Sequence, residues 1–301
     1  MTLSALLAEP PGPPRATVLA VHGGGMNAHY FDGRAHPTLS LLTLGAGLGY
    51  TVLAVDRPGY GASAAALPEG LALEGQAAAL RSALDDFAAR RPLGAGLFVL
   101  AHSYGGKVAL TAAARGLHPA LLGLDISGCG HRYAAKPART GTGSGFGGGR
   151  GLNWGPLGLY PLDTFRLAAT AVADVPVREG AEAARWEERF PAVAAEVRVP
   201  VRLTFAEYEG WWRHDPEAIA ELTGLLAAPR LLVDRQPGAG HNISLGWAAR
   251  AYHLRALGFL EECLQASASS ASSASSASSA SSVSASVRQP EPEPEPEPDP
   301  G

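Results

Sequence analysis

One short stretch restricts the fold of this chain more than any other feature of its sequence. Leu97 to Gly106 reads LFVLAHSYGG, an apolar run that ends in a serine and is followed by the helix-forming segment KVALTAAAR. A sharp strand-to-helix turn leaves room only for small residues two positions before and after the serine, where Ala101 and Gly105 stand. Such a turn would expose the hydroxyl of Ser103 as a nucleophile. A serine that only caps the helix is the alternative.

A serine nucleophile needs a base and an acid that orients the base. His241 is the candidate base, because the glycines of QPGAGHNIS would let a tight loop project its imidazole. The candidate acids follow the apolar segment VPVRLTF, where the sequence continues AEYEG and supplies Glu207 and Glu209. Asp215 is a more distant candidate. A carboxylate from any of these positions could orient an imidazole.

A developing oxyanion needs backbone N–H donors, and glycine brings such donors closest because no side chain intervenes. One predicted donor is the N–H of Tyr104, directly after the serine. The other is predicted in the run His22-Gly23-Gly24-Gly25, which follows an apolar segment ending at Val21. We expect Gly24 to donate, with Gly25 as the alternative, and His22 to brace the loop by hydrogen bonds.

These motifs, together with VLAVDRPGYGAS at 52–63, resemble the α/β-hydrolase superfamily from about Arg15 to Leu264. Ala101 departs from the usual G-x-S-x-G pattern in its first position. The resemblance selects Glu209 as the acid, nine residues after Pro200, with Glu207 as the alternative. It implies an α/β fold with a doubly wound, mostly parallel sheet. Because little chain precedes Arg15, we expect a shortened N-terminus and about six strands, at 16–21, 51–55, 97–102, 121–126, 199–205 and 230–234.

The predicted hydrolase domain spans 1–264 and includes a long insertion, a cap, at about 128–198. Such an insertion is longer than one crossover helix needs, and it would roof the serine and select the substrate. We name Trp154 and Tyr160 in the cap and Trp211 and Trp212 after the acid as candidate substrate-binding aromatics. Aromatic side chains that only pack the cap onto the domain are the alternative.

From 265 to 301 the composition predicts a disordered Ser/Ala-rich linker and a Pro/Glu tail. From Arg288 onward the tail carries five acidic residues and one arginine, a balance equal to the formal net charge of −4 of the whole chain. The rest of the chain is therefore nearly neutral, which argues against a nucleic-acid partner. Two cysteines predict neither a disulfide framework nor a zinc site. We expect a cytoplasmic protein without metal, cofactor or membrane span, and the sequence leaves its oligomeric state open.

The predicted function is a serine hydrolase that cleaves an ester, thioester or related acyl bond through an acyl-enzyme on Ser103. Its substrate would be a small-molecule or carrier-bound acyl group. An acyltransferase that uses the same three residues is one alternative. A noncatalytic binding protein on the same fold is another.

Overall fold

Seven strands form a single sheet in the computed structural model, which describes residues 2–136 and 150–283. Their spatial order is β1-β3-β2-β4-β5-β6-β7, and only β1 runs antiparallel to its neighbour. The central strands are buried along their whole length, which explains their unbroken apolar sequences. The strands are β1 Ala5–Ala8, β2 Thr17–Val21, β3 Thr51–Val55, β4 Leu97–His102, β5 Leu121–Ser127, β6 Val201–Tyr208 and β7 Leu231–Gly240.

The doubly wound, mostly parallel sheet predicted from the sequence is confirmed, with one strand more than the six that were placed. The additional strand is Ala5–Ala8, which pairs antiparallel with β3 from Ala5 opposite Val55 to Ala8 opposite Val52. A four-residue strand at a sheet edge needs neither a long apolar run nor full burial, and this one alternates between exposed and half-buried residues. The prolines that follow it masked the pattern in the sequence.

Helices cover both faces of the sheet, as apolar helix stripes require. In α2, Leu73, Ala77, Leu80 and Leu84 recur at helical spacing and are buried. Within the described ranges, no helix is both long and apolar enough to cross a membrane. The helices are α1 Leu41–Gly47, α2 Leu73–Ala88, α3 Tyr104–Ala114, α4 Arg150–Trp154, α5 Thr164–Leu167, α6 Val177–Ala184, α7 Trp186–Ala194, α8 Pro216–Leu225 and α9 Ala249–Val283.

Two compact units divide the chain, Met1–Cys263 and Leu264–Gly301. Helix α9 begins in the first unit and continues through the Ser/Ala repeats to Val283, where the composition predicted a flexible linker. Alanine has the highest helix propensity of all residues, which accounts for helical geometry in this segment. Residues 284–301, which include the Pro/Glu tail predicted from Arg288 onward, and the part of the predicted cap at 137–149 lie outside the described residues.

The described part of the predicted cap lies between β5 and β6 and contains α4 to α7. Two backbone hydrogen bonds join it to the loop that follows β2. The N–H of Asn27 donates to the carbonyl of Ala171 (2.9 Å), and the N–H of Ala173 donates to the carbonyl of Gly25 (3.0 Å). The cap therefore packs against the glycine loop at the carboxyl end of the sheet.

Candidate active site

The turn between β4 and α3 has the geometry that its sequence predicts. Ser103 has φ 51° and ψ −115°, and no other non-glycine residue in the described ranges has a positive φ. A Cβ on Gly105 would lie 2.3 Å from the carbonyl oxygen of Val21, so only glycine fits at that position. Strain of this kind costs free energy, and it concentrates at functional sites. The turn leaves Ser103 partly exposed at the carboxyl edge of the sheet.

Ser103, His241 and Glu209 are joined by a continuous series of hydrogen bonds. The Oγ of Ser103 lies 3.0 Å from Nε2 of His241. Nδ1 of the same ring lies 2.8 Å from Oε2 and 3.0 Å from Oε1 of Glu209, and both side chains are buried. The N–H of Trp211 donates to Oε1 of Glu209 (2.9 Å), which fixes the carboxylate. This arrangement lets the imidazole accept the proton of the serine while the carboxylate stabilises the imidazolium.

The two alternative acids, Glu207 and Asp215, do not contact the ring of His241. Oε2 of Glu207 accepts a hydrogen bond from the N–H of Gly238 (2.7 Å), so it fastens the loop that carries His241 without contacting the ring. Asp215 caps α8 by accepting from the N–H of Ala218 (3.1 Å). The geometry therefore favours Glu209 over both alternatives.

The two predicted oxyanion donors lie close together because β2 and β4 are neighbours in the sheet. Tyr104 is the first residue of α3, so its N–H lies outside the hydrogen-bond ladder of the helix. A Cβ on Gly24 would lie 3.8 Å from Cβ of Tyr104, and Gly24 is exposed. The N–H of Gly25 instead donates to the hydroxyl of Tyr60 (3.1 Å). This bond occupies the alternative donor and favours Gly24.

Two further histidines near the site, His22 and His102, make structural contacts. Nε2 of His22 accepts from the N–H of Arg57 (3.0 Å) and its Nδ1 lies 2.8 Å from the carbonyl of Gly23, so it braces the glycine loop as expected. His102 was not singled out from the sequence. It stacks on Tyr30 with ring centroids 4.7 Å apart. Burial, and then the neighbouring His241, hold the pKa of His102 well below its usual range, so it does not carry a competing charge.

Comparison with known proteins identifies the family of the chain. A family model described as the alpha/beta hydrolase family matches residues 18–260. The chain belongs to the alpha/beta hydrolase family. No curated protein matches the sequence.

Solved structures show the same fold. A monoacylglycerol lipase from Paleococcus ferrophilus is 22% identical with a TM-score of 0.57, and the match covers 88% of this chain and 99% of the lipase. A soluble variant of monoglyceride lipase from Saccharomyces cerevisiae is 14% identical with a TM-score of 0.62 over 88% of this chain and 92% of that one. A thermostable carboxyl esterase from Bacillus coagulans is 17% identical with a TM-score of 0.61 over 87% and 94%. At these identities the similarity establishes the fold.

The candidate substrate-binding aromatics of this hydrolase divide into two groups. Trp154 and Tyr160 are buried and contact each other edge to face with centroids 5.0 Å apart, which is the geometry of core packing. Trp212 is also buried and stacks on Tyr133 at 4.1 Å. Trp211 is half-buried, and its Nε1 donates to Oδ1 of Asn153 (2.8 Å). Among the four predicted aromatics, only Trp211 is more than marginally exposed.

A buried ion pair beside the glycine loop had no signal in the sequence. Arg57, after β3, and Glu179, on cap helix α6, are both fully buried, and Nη2 of the guanidinium donates to Oε2 of the carboxylate (3.2 Å). The guanidinium also donates to the carbonyls of His22 (2.8 Å) and Gly23 (3.0 Å). Oε2 of Glu179 would lie 3.5 Å from a Cβ on Gly24. The pair therefore connects the cap to the predicted oxyanion loop.

Glu179→Gln is expected to lower the free energy of unfolding by about 3–5 kcal/mol, because it leaves the charge of Arg57 buried without a counter-ion. Urea unfolding followed by circular dichroism measures the loss. Glu69→Gln is the matched control, since Glu69 pairs with Arg178 at the surface, and there we expect about 0–1 kcal/mol. Equal losses in the two variants would contradict a structural role for the buried pair.

Proposed function

We propose that this protein is a serine hydrolase that cleaves carboxylic esters or thioesters through an acyl-enzyme on Ser103. The observation that carries the proposal is the hydrogen-bonded series of Ser103, His241 and Glu209 on a strained, partly exposed turn. Membership of the alpha/beta hydrolase family and the similarity to lipase and esterase structures support it.

In the first half of the reaction, Nε2 of His241 takes the proton of the Ser103 hydroxyl as Oγ attacks the substrate carbonyl carbon. The carbonyl oxygen becomes an oxyanion that accepts hydrogen bonds from the N–H groups of Tyr104 and Gly24. The imidazolium then gives its proton to the departing alcohol or thiol. Its positive charge is stabilised by Glu209 throughout.

In the second half, water replaces the leaving group. His241 takes a proton from the water molecule, whose oxygen attacks the acyl carbon of the acyl-enzyme. Collapse of the second tetrahedral intermediate releases a carboxylic acid and returns the proton to Oγ of Ser103. A non-aqueous acceptor in place of water would give acyl transfer by the same steps.

Labelling with a fluorophosphonate tests the nucleophile directly, because Oγ of Ser103 would displace fluoride and retain the phosphonyl group. Peptide mapping is expected to place the added mass on the peptide that contains Ser103, and His241→Ala is expected to slow labelling strongly. Heat-unfolded protein serves as the control for nonspecific reaction. Labelling at any other residue, or none in the folded protein, would refute the proposed nucleophile.

A panel of acyl esters and thioesters of increasing chain length then identifies the acyl group. Adding alcohol, thiol and amine acceptors to the same assay measures the ratio of transfer product to free acid. Free acid as the main product is the expected result. A predominance of transfer product would reclassify the enzyme as an acyltransferase.

A further inference from the structure

A buried lysine lies one helical turn after the proposed nucleophile. Lys107, on α3, is only 3% exposed. Its Nζ lies 4.7 Å from the ring centroid of Trp212, 5.4 Å from that of Tyr104, 5.6 Å from that of Tyr133 and 5.9 Å from that of Trp186. Aromatic faces attract a cation, but they carry no opposite charge and leave its net charge in place.

The electrostatic surroundings of Lys107 lack a balancing anion. Among the residues that the structure describes, no carboxylate pairs with this ammonium. Two acidic groups act on Lys107, the Cys129 thiol and the Glu179 carboxylate. Burial raises the pKa of the Cys129 thiol to about 11, so it carries no negative charge at neutral pH, and Glu179 is already bonded to Arg57. Cζ of Arg57 lies 4.7 Å from the ring centroid of Tyr104, so Arg57 and Lys107 share this ring. Two buried cations thus share one carboxylate near the positively polarised first turns of α3, where an additional anion is favoured.

A second, independent observation comes from the polar atoms of the four rings. Three of them have acceptors: the hydroxyl of Tyr133 donates to Ala183 (2.9 Å), Nε1 of Trp186 to Gly130 (2.8 Å) and Nε1 of Trp212 to Gly128 (2.7 Å), each a backbone carbonyl. The hydroxyl of Tyr104 is buried and has no hydrogen-bond partner within the described ranges. Burial raises its pKa well above the usual range, so this hydroxyl remains a donor.

Both groups belong to the first turn of the helix that follows the proposed nucleophile. The unpaired hydroxyl belongs to Tyr104, the residue whose backbone N–H is the proposed oxyanion donor. Trp212, the ring nearest to Lys107, is held by the carbonyl of Gly128, and a Cβ on Gly128 would lie 2.8 Å from Cε1 of His241. A cation and an unsatisfied donor therefore lie within one helical turn of the proposed nucleophile, next to rings that pack near His241.

We infer that Lys107 and the hydroxyl of Tyr104 bind a carboxylate of the substrate, so that the enzyme selects esters carrying a second, anionic acid group. The inference rests on the proposed function. The inference adds a specificity residue to the proposed function, because neither Nζ of Lys107 nor the Tyr104 hydroxyl takes part in the acyl-transfer steps. A carboxylate would supply both the missing negative charge and the missing acceptor.

Two pairs of esters test the inference, each pair differing only in a carboxylate replaced by an isopropyl group. On the acyl side, monoethyl adipate is compared with ethyl 6-methylheptanoate. On the alcohol side, 5-acetoxypentanoate is compared with 5-methylhexyl acetate. The readout is the ratio of kcat/KM for the charged ester to that for its neutral partner, measured by acid release at constant pH.

For at least one pair, the wild-type ratio is expected to exceed one, and Lys107→Met is expected to lower it about 10- to 100-fold, the usual contribution of a hydrogen bond to a charged group. Lys136→Met is the matched control, since Lys136 is the second of the two lysines in the chain and is exposed. It is expected to keep the wild-type ratio. Wild-type ratios of one or below for both pairs, or ratios that Lys107→Met leaves unchanged, would overturn the inference.

Binding of adipate, measured by calorimetry, separates this inference from the proposed function because it needs no turnover. Wild-type protein is expected to bind adipate, and Lys107→Met to bind it at least about 10-fold more weakly. Absence of fluorophosphonate labelling at Ser103, combined with Lys107-dependent binding of adipate, would refute the proposed function and leave the anion site standing. Ester hydrolysis without Lys107-dependent binding or selectivity would refute the anion site and leave the proposed function standing. The wild-type measurements decide the question even where Lys107→Met fails to fold.

Discussion

Ser103→Ala is expected to lower kcat for ester hydrolysis by about 10⁶-fold, because in the proposed mechanism Oγ of Ser103 forms the covalent intermediate. The oxyanion donors and the binding surface remain in this variant, so residual activity above the uncatalysed rate is expected. Ser103 has a strained φ of 51°, and we expect the fold to survive the substitution because alanine, like serine, carries only one heavy atom, Cβ, next to the backbone. Single-turnover kinetics with a chromogenic ester measure the acylation step directly.

Ser82→Ala is the matched control for this loss, since Ser82 is an exposed residue of α2. It is expected to match the wild type in both kcat and thermal unfolding. A Ser103→Ala protein that is folded and retains more than about one percent of the wild-type kcat would show that another residue is the nucleophile.

Glu209→Gln is expected to lower kcat by roughly 10⁴-fold while leaving KM within a few-fold of the wild-type value. The structure gives a specific reason. The N–H of Trp211 donates to Oε1 (2.9 Å), so a glutamine amide would present its carbonyl there and turn its NH₂ toward Nδ1 of His241. The imidazole would then carry its proton on Nε2, which could no longer accept the proton of Ser103. Losing the negative charge would also remove the stabilisation of the imidazolium.

Glu207→Gln provides the comparison, because it makes the same chemical change two residues earlier. Glu207 contacts the N–H of Gly238 and does not contact the ring of His241, so we expect a change in kcat of only a few-fold. Steady-state kinetics on both variants with one ester measure the two effects. A larger loss for Glu207→Gln than for Glu209→Gln would reverse the assignment of the acid.

Local patterns account for what the sequence predicted well. The turn around Ser103 depends on its immediate neighbours, and a Cβ on Gly105 would clash with the carbonyls of β2 and its loop. The buried parallel strands require continuous apolar runs, which made their positions legible. His241 was predicted from the glycines of its own loop, although the ring comes 138 residues after the serine that it contacts.

Long-range pairing accounts for what the sequence did not reveal. Arg57 and Glu179 are 122 residues apart, and nothing in either local segment indicates a buried partner. Lys107 looked like an ordinary helix residue, because burial by aromatic rings from other segments has no local signature. The choice between Glu209 and Glu207 depended on the path of the loop after β6, which places one carboxylate on the ring and the other on a backbone N–H.

The two backbone bonds between residues 171–173 and the glycine loop bear on how new specificities could arise in this protein. Asn27 and Gly25 are held by the same segment that would be lost if the cap were exchanged for that of a relative. Grafting a foreign cap would therefore remove two bonds that hold the glycine loop, which in the proposed mechanism stabilises the oxyanion. Accumulated point substitutions that spare residues 171–173 offer a more productive route for engineering than exchange of the whole insertion.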